Sequence, residues 1–194
     1  MSSRNFLISD THFGHTNFLK FTDDSGKLIR PFDSVDAMDD YMVEKWNSVV
    51  RDEDRVYHLG DVAMNRRCIR TLERLKGRKV LIRGNHDIFK LKDYLPYFED
   101  IRAYKIFPKA GVICSHIPIH PRQFQGRWVL NIHGHLHQNM VKEADEVTPD
   151  KRYYNICVEN VDYTPQDYDD IIKKFNLNNR GQYVEARDST KGVS

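Results

Sequence analysis

The chain is 194 residues long, 40% hydrophobic and 30% charged, with 30 basic against 28 acidic side chains and a net charge of +2. That balance excludes a strongly basic nucleic-acid arm or an acidic disordered tail as the main theme, and the length suffices for one sizeable core. No apolar run approaches the ~20 residues of a membrane span. Phe6-Leu7-Ile8 is a short buried strand ending in Ser9-Asp10. Ser34 caps a helix in which Val35, Met38, Met42, Trp46 and Val49 recur at helical spacing. Arg55 to Leu59 is a second strand, stopped by Gly60. A helix follows with Cys68, Ile69, Leu72 and Leu75 inward and Gly77 as its stop, then a third strand from Lys79 to Ile82, ended at Gly84. The order βαβαβ implies a mainly parallel sheet.

The second half is denser in strands: Gly111 to Cys114, Trp128 to Ile132 and Tyr153 to Val158, with only loops or short turns between them. Thr164-Pro165-Gln166-Asp167 opens a last helix with proline at its first position, and Ile171, Ile172 and Phe175 form its apolar side. A single domain over 1–194 is expected, loosely ordered from about 180 to 194. The three cysteines, Cys68, Cys114 and Cys157, are odd in number and widely spaced, which provides no disulfide framework. With a start, Met1-Ser2-Ser3-Arg4-Asn5, that has no signal-peptide core, this points to the reducing cytoplasm.

Histidine is the outlier. There are nine, most of them in polar clusters at strand ends: Asp10-Thr11-His12, Gly60-Asp61, Gly84-Asn85-His86-Asp87, Ser115-His116 and Gly134-His135-Leu136-His137. Ligands gather beyond the C-terminal ends of parallel strands. Residues spaced i, i+2 on a strand share a side, roughly 6–7 Å apart, so Asp10/His12 and His135/His137 can each aim two donors at one centre. Two carboxylates, several imidazoles and one amide oxygen suit divalent first-row metals, not an all-oxygen calcium cage. A cysteine-based structural zinc site is not expected, because the cysteines are isolated and away from the histidine cluster.

The ordered set of five motifs resembles the calcineurin-like metallophosphoesterases, whose signature runs Asp-x-His, Gly-Asp, Gly-Asn-His-Asp/Glu, a lone His and Gly-His-x-His. Ser9-Asp10-Thr11-His12-Phe13-Gly14-His15, with Arg30-Pro31-Phe32, looks most like small single-domain bacterial and phage members. The resemblance implies a four-layer α/β/β/α sandwich of two mixed sheets flanked by helices, and a site for two divalent ions, with Mn first and Fe, Zn, Ni or Co also accommodated. Asp10, His12 and His137 would hold the first ion, Asn85, His116 and His135 the second, and Asp61 would bridge them. His116 lacks the glycine many members have before it, which makes His120 its rival. His86 would face the substrate as general acid or phosphate-binding group, and Asp87 would orient His86 or its loop.

The expected reaction is attack of a metal-bridging hydroxide on phosphorus. The segment after Gly60-Asp61 lacks the Val-Asp-Arg-Gly extension of the protein phosphatases, and Asp87 stands where that branch has Glu. Both departures favour a phosphodiesterase acting on a small phosphodiester or nucleotide. A nuclease acting on nucleic acid comes second and a phosphomonoesterase third. A non-catalytic scaffold or nucleic-acid-binding module ranks behind them, and no membrane or obligate protein partner is expected. His15 and Arg30 are candidate substrate contacts at the rim. His58 and His133 are read as packed histidines, and Arg83 as the end of its strand. Arg66, Arg70 and Arg74 line one helix face, within a basic stretch read first as solvated surface and second as a phosphate-binding face.

Overall fold

The computed structural model describes residues 2–177, so the expected loose tail at 180–194 lies outside the described residues. Two mixed sheets pack face to face. In the first, β1 (Asn5–Ile8), β2 (Arg55–His58), β3 (Arg78–Ile82) and β4 (Asp100–Arg102) run parallel. In the second, β5 (Tyr104–Phe107) is antiparallel to β6 (Val112–Ser115), while β6, β7 (Leu130–His133) and β8 (Tyr153–Asn155) run parallel. The side chains of β1 explain its unbroken apolar run, because both faces of this strand are covered. Phe6 and Ile8 face an outer helix layer, whereas Leu7 joins Val80, Ile82, Val112, Cys114, Leu130 and Ile132 between the sheets.

The outer layer over the first sheet is led by α1 (Val35–Val49), where the Ser34 hydroxyl accepts a hydrogen bond from the Ala37 N–H at 3.0 Å. Met38, Met42 and Trp46 are buried, each worth about 1.5–3 kcal/mol of transfer. On the same helix, buried Asp39 accepts from the Gly14 N–H at 2.9 Å. Burial, helped by the nearby Asp36 and Asp40 and opposed by the Gly14 bond, pushes its carboxyl up to about 7. A carboxyl raised in the fold favours the folded state in its protonated form. That contribution is full below about 3.8 and is lost as pH rises through about 7. Asp39→Asn should therefore melt higher than the parent at pH 8, by about 1–3 kcal/mol of stability, and equal it near pH 4. A lower melting temperature for the variant at pH 8 would contradict this.

Two elements depart from the sequence reading. The crossover between β2 and β3 is a 3-10 helix, Arg66–Arg74, not an α-helix. Its buried residues Ile69, Leu72 and Leu75 repeat every three positions, the period of that helix. Arg66, Arg70 and Arg74 each meet a carboxylate, Asp93, Glu73 and Asp40 respectively. The basic stretch is thus ion-paired at the surface. The last helix, Tyr168–Lys174, begins later than Thr164-Pro165 predicts. Gln166–Asp167 pairs antiparallel with β1 as β9, and Asp167 caps the helix through the Asp169 N–H. Ile171 of this helix reaches the core between the sheets.

The outer face of the second sheet carries Asn131, His133, Tyr153 and Asn155, alternating with core residues. The segment after His116 covers it, held by Tyr153 Oη donating to the Ile119 carbonyl at 2.7 Å and by Asn131. No helix among the described residues is long and apolar enough to cross a membrane. The two sheets are joined at one edge. Ser9, just past β1, forms a parallel bridge with Cys157, just past β8. Its N–H donates to the Ile156 carbonyl at 3.2 Å and its carbonyl accepts from Val158 at 3.1 Å.

Candidate metal centre

The C-terminal ends of β1, β2, β3, β6, β7 and β8 open onto that joined edge, and the five polar clusters converge there. Their geometry does not come from strand alternation. Asp10, His12, Asp61, His135 and His137 all lie past the strands with φ between 48° and 69°. The left-handed region is unfavourable for residues with a Cβ, and it clusters at functional sites. Here it folds each chain end back so that Asp10 and His12, and His135 and His137, turn toward one space. Close backbone approach makes this possible. A Cβ on Gly134 would sit 2.0 Å from Ser9 Oγ and 2.2 Å from Asp10 Oδ2.

Asp10 Oδ1 lies 3.7 Å from His12 Nε2 and 3.9 Å from His137 Nε2. Asn85 Oδ1 lies 2.7 Å from His116 Nε2 and 2.9 Å from His135 Nδ1. Between the two groups, Asp61 Oδ2 is 3.6 Å from His12 Nε2 and 3.4 Å from His116 Nε2. Asp10/His12/His137 and Asp61/His116/His135 each bring three ligand atoms within 4.8 Å of one another. Asp10 Oδ1 and both ring nitrogens of His12 are buried with no hydrogen-bond partner. Buried polar atoms left bare cost about 1–3 kcal/mol each, and a bound cation would satisfy Asp10 Oδ1 and His12 Nε2, which face each other. The donor set of imidazole nitrogens, carboxylates and an amide oxygen therefore fits divalent transition metals.

Sequence and structure comparisons agree with this geometry. The family model for calcineurin-like phosphoesterase matches residues 4–188. The chain belongs to the calcineurin-like phosphoesterase family. It is 36% identical over 172 residues to an uncharacterized protein of Methanocaldococcus jannaschii, covering 87% of this chain and 89% of that protein. It is 27% identical to the gene 66 protein of Mycobacterium phage L5, over 72% of this chain and 80% of the relative. The solved structure of a protein of unknown function from Aquifex aeolicus superposes with a TM-score of 0.69 at 28% identity, covering 89% of this chain and all of that one. The family is metal-dependent, so this chain is a metal-dependent phosphoesterase.

Around the phosphoesterase centre, neighbouring groups occupy one side of Asp10, Asp61, His116 and His137 and leave the other free. Asp10 Oδ2 accepts from the His135 N–H at 2.9 Å and the Cys157 thiol at 3.2 Å, which leaves Oδ1 facing the centre. Asp61 Oδ1 accepts from the His86 N–H at 2.8 Å, leaving Oδ2. His116 Nδ1 donates to the Leu59 carbonyl at 2.7 Å and His137 Nδ1 to Glu159 Oε1 at 3.2 Å, leaving both Nε2 atoms. Such outer bonds fix the tautomer and aim of a ligand. Burial pushes the Asp10 carboxyl up, but the imidazoles of His12, His116 and His137 outweigh it and hold it well below the usual range. Burial pushes His116 down, and Asp61 and Asp10 more than reverse this.

The placement of the remaining residues corrects several expectations. Arg30, expected as a substrate contact, is fully buried. Its guanidinium donates to the Asp10 carbonyl at 2.6 Å, the Thr11 carbonyl at 2.8 Å and Glu159 Oε1 at 2.8 Å. Asp87, grouped with His86 and expected to orient it or its loop, is buried and accepts from the Asp61, Val62 and Gly84 N–H groups at 2.9, 3.0 and 2.8 Å. It ties two ligand loops together and does not face the open site. Arg83 donates to the Asp87 carbonyl. His86 is exposed, its ring centroid 5.4 Å from that of His12, and His15 is half-buried at the rim, 5.7 Å from the same ring. Burial beside His12 and Arg30 lowers His15 to about 4.

His116, not His120, joins the cluster; His120 caps a turn at Arg122. His58 and His133 are buried, and burial holds them near 3 and 4. His58 accepts from Gly60 and meets the Thr11 hydroxyl, linking the first two motif loops. Sequence reasoning missed Glu159 and placed Cys157 away from the histidines. The available signal was a sixth strand end, where the apolar run Ile156-Cys157-Val158 stops at Glu159.

Arg30→Met should destabilise the fold by about 3–5 kcal/mol, since it strands a buried Glu159 carboxylate and two carbonyls. Burial pushes Glu159 up, and Arg30 and His137 hold it below its usual value. Thermal melting of the variant checks this, and a curve that overlays the parent would refute it.

Proposed function

We propose that this phosphoesterase is a phosphodiesterase acting on a small phosphodiester or nucleotide through two divalent ions, manganese foremost. Asp10, His12 and His137 would hold one ion, and Asn85, His116 and His135 the other, with Asp61 shared between them. The observation that carries this reading is the single oxygen Asp61 Oδ2, which faces both His12 Nε2 and His116 Nε2 at similar distances. When bound, a pair of divalent ions supplies Lewis acidity for phosphoryl oxygens and lowers the pKa of a water nucleophile. Within the chain, His86 stands on the open side, where it donates a proton to the leaving oxygen. Asp87 positions the loop that carries His86, and Arg30 holds the loop of Asp10 and the Glu159 partner of His137 in one network. Departures from the protein phosphatase pattern at Val62-Ala63-Met64 and Asp87 support a diester over a phosphoprotein. The free cysteines support a cytoplasmic setting.

The test is a metal-supplemented assay of EDTA-treated protein. Turnover should vanish with EDTA, return with Mn²⁺, and favour bis(4-nitrophenyl) phosphate or a nucleoside diester over 4-nitrophenyl phosphate. Preference for the monoester would overturn the diester reading. Preference for single- or double-stranded DNA would make the chain a nuclease. No turnover with any divalent metal would remove the hydrolase.

A further inference from the structure

We propose that Phe21, beside His15 at the rim of the centre, is a stacking surface for a nucleobase, so that the diester cleaved is a nucleotide. The proposal rests on the phosphodiesterase reading above. A continuous set of rings leads from the metal-ligand candidates to solvent. Phe18 is buried, with its centroid 5.1 Å from His12 and 5.0 Å from His137. The Arg30 guanidinium lies over its ring at 4.0 Å. Phe21 stands 5.3 Å from Phe18 and 5.9 Å from His15, and it is 44% exposed. A single exposed phenylalanine is ordinary on a protein surface. Phe21 differs because it ends a ring cluster whose inner members touch His12 and His137.

The platform is also fixed in place. The Ile29 N–H donates to the Phe21 carbonyl at 2.9 Å, Thr22 bridges Leu28, and Asp23 closes the hairpin tip through Ser25 and Lys27. The hairpin runs directly into Arg30, which is bonded to the Asp10 and Thr11 carbonyls. The same side chain therefore sets both the ligand loop and the hairpin, so Phe21 is held in register with Asp10 before any substrate arrives. Such preorganisation avoids an ordering cost on binding. Among phosphodiesters, nucleotides are the class that carries a planar, π-faced group close to the scissile phosphate. Stacking on an aromatic side chain tolerates any base.

The experiment compares a dinucleoside monophosphate with glycerophosphocholine, which has no ring, on the Mn²⁺-loaded parent, Phe21→Ala and Phe21→Trp. Phe21→Ala should raise KM for the nucleoside diester by about 5- to 150-fold. It should leave kcat and the aliphatic diester unchanged, and Phe21→Trp should restore KM. Equal losses on both substrates, or none on the nucleoside diester, would overturn the platform. If the parent hydrolyses neither, the phosphodiesterase reading fails by itself. Adenosine monophosphate titration then decides the platform separately: weaker binding to Phe21→Ala supports it, and equal binding removes it.

Discussion

Asp61→Asn should empty both halves of the centre. Parent protein loaded with Mn²⁺ and freed of excess metal should carry two ions per chain, and the variant should retain less than one. Asn is the informative replacement. It keeps an oxygen to accept the His86 N–H now bound by Asp61 Oδ1. It also tolerates the left-handed backbone, φ 58° at this position, better than alanine does. What it removes is the charged oxygen that faces His12 and His116 together. Asp61→Ala should lose the ions as well, with an added backbone penalty of ~1 kcal/mol. Turnover should fall by more than about 10³-fold in both. Elemental analysis that still finds two ions on Asp61→Asn would take the residue out of the bridging position.

His86→Ala should do the opposite: keep its metal and lose its rate. The ring projects from the Gly84-Asn85 loop and is exposed, while the backbone N–H of the same residue holds Asp61. A positioned proton donor contributes about 10²–10⁴-fold. The loss should therefore be large for a diester with an alkoxide leaving group and small for one releasing 4-nitrophenolate, which departs without a proton. Equal losses on both would recast His86 as a phosphate-binding group. Undiminished kcat on the alkyl diester would exclude it from the chemistry.

The elements that positioned the centre were legible because they are local. Phe6 to Ile8, Arg55 to Leu59 and Lys79 to Ile82 announce buried parallel strands, and each stops at a polar or glycine motif that the fold then uses. The pairing of Asp10 with His12 was anticipated, but on strand alternation, whereas left-handed backbone achieves it. Arg30 was misread because its partners lie at positions 10, 11 and 159, far from it in the chain, so no local pattern marks it as buried. Cys157 and Glu159 were missed for a related reason. Their strand end shows in the sequence, but their contacts to Asp10 and Arg30 lie across the seam between the sheets. The 3-10 crossover was betrayed only by the three-residue spacing of Ile69, Leu72 and Leu75.

The seam at Ser9 and Cys157 has a temporal meaning as well. Asp10 is synthesised before the thiol that holds it, which comes 147 residues later. Contacts of such separation form late, because the loop between them must close first. During translation the first ligand loop stays without its partners until Glu159 has left the ribosome. Ion capture by Asp10 would thus wait on closure of the seam, and metal content would report whether the seam has formed.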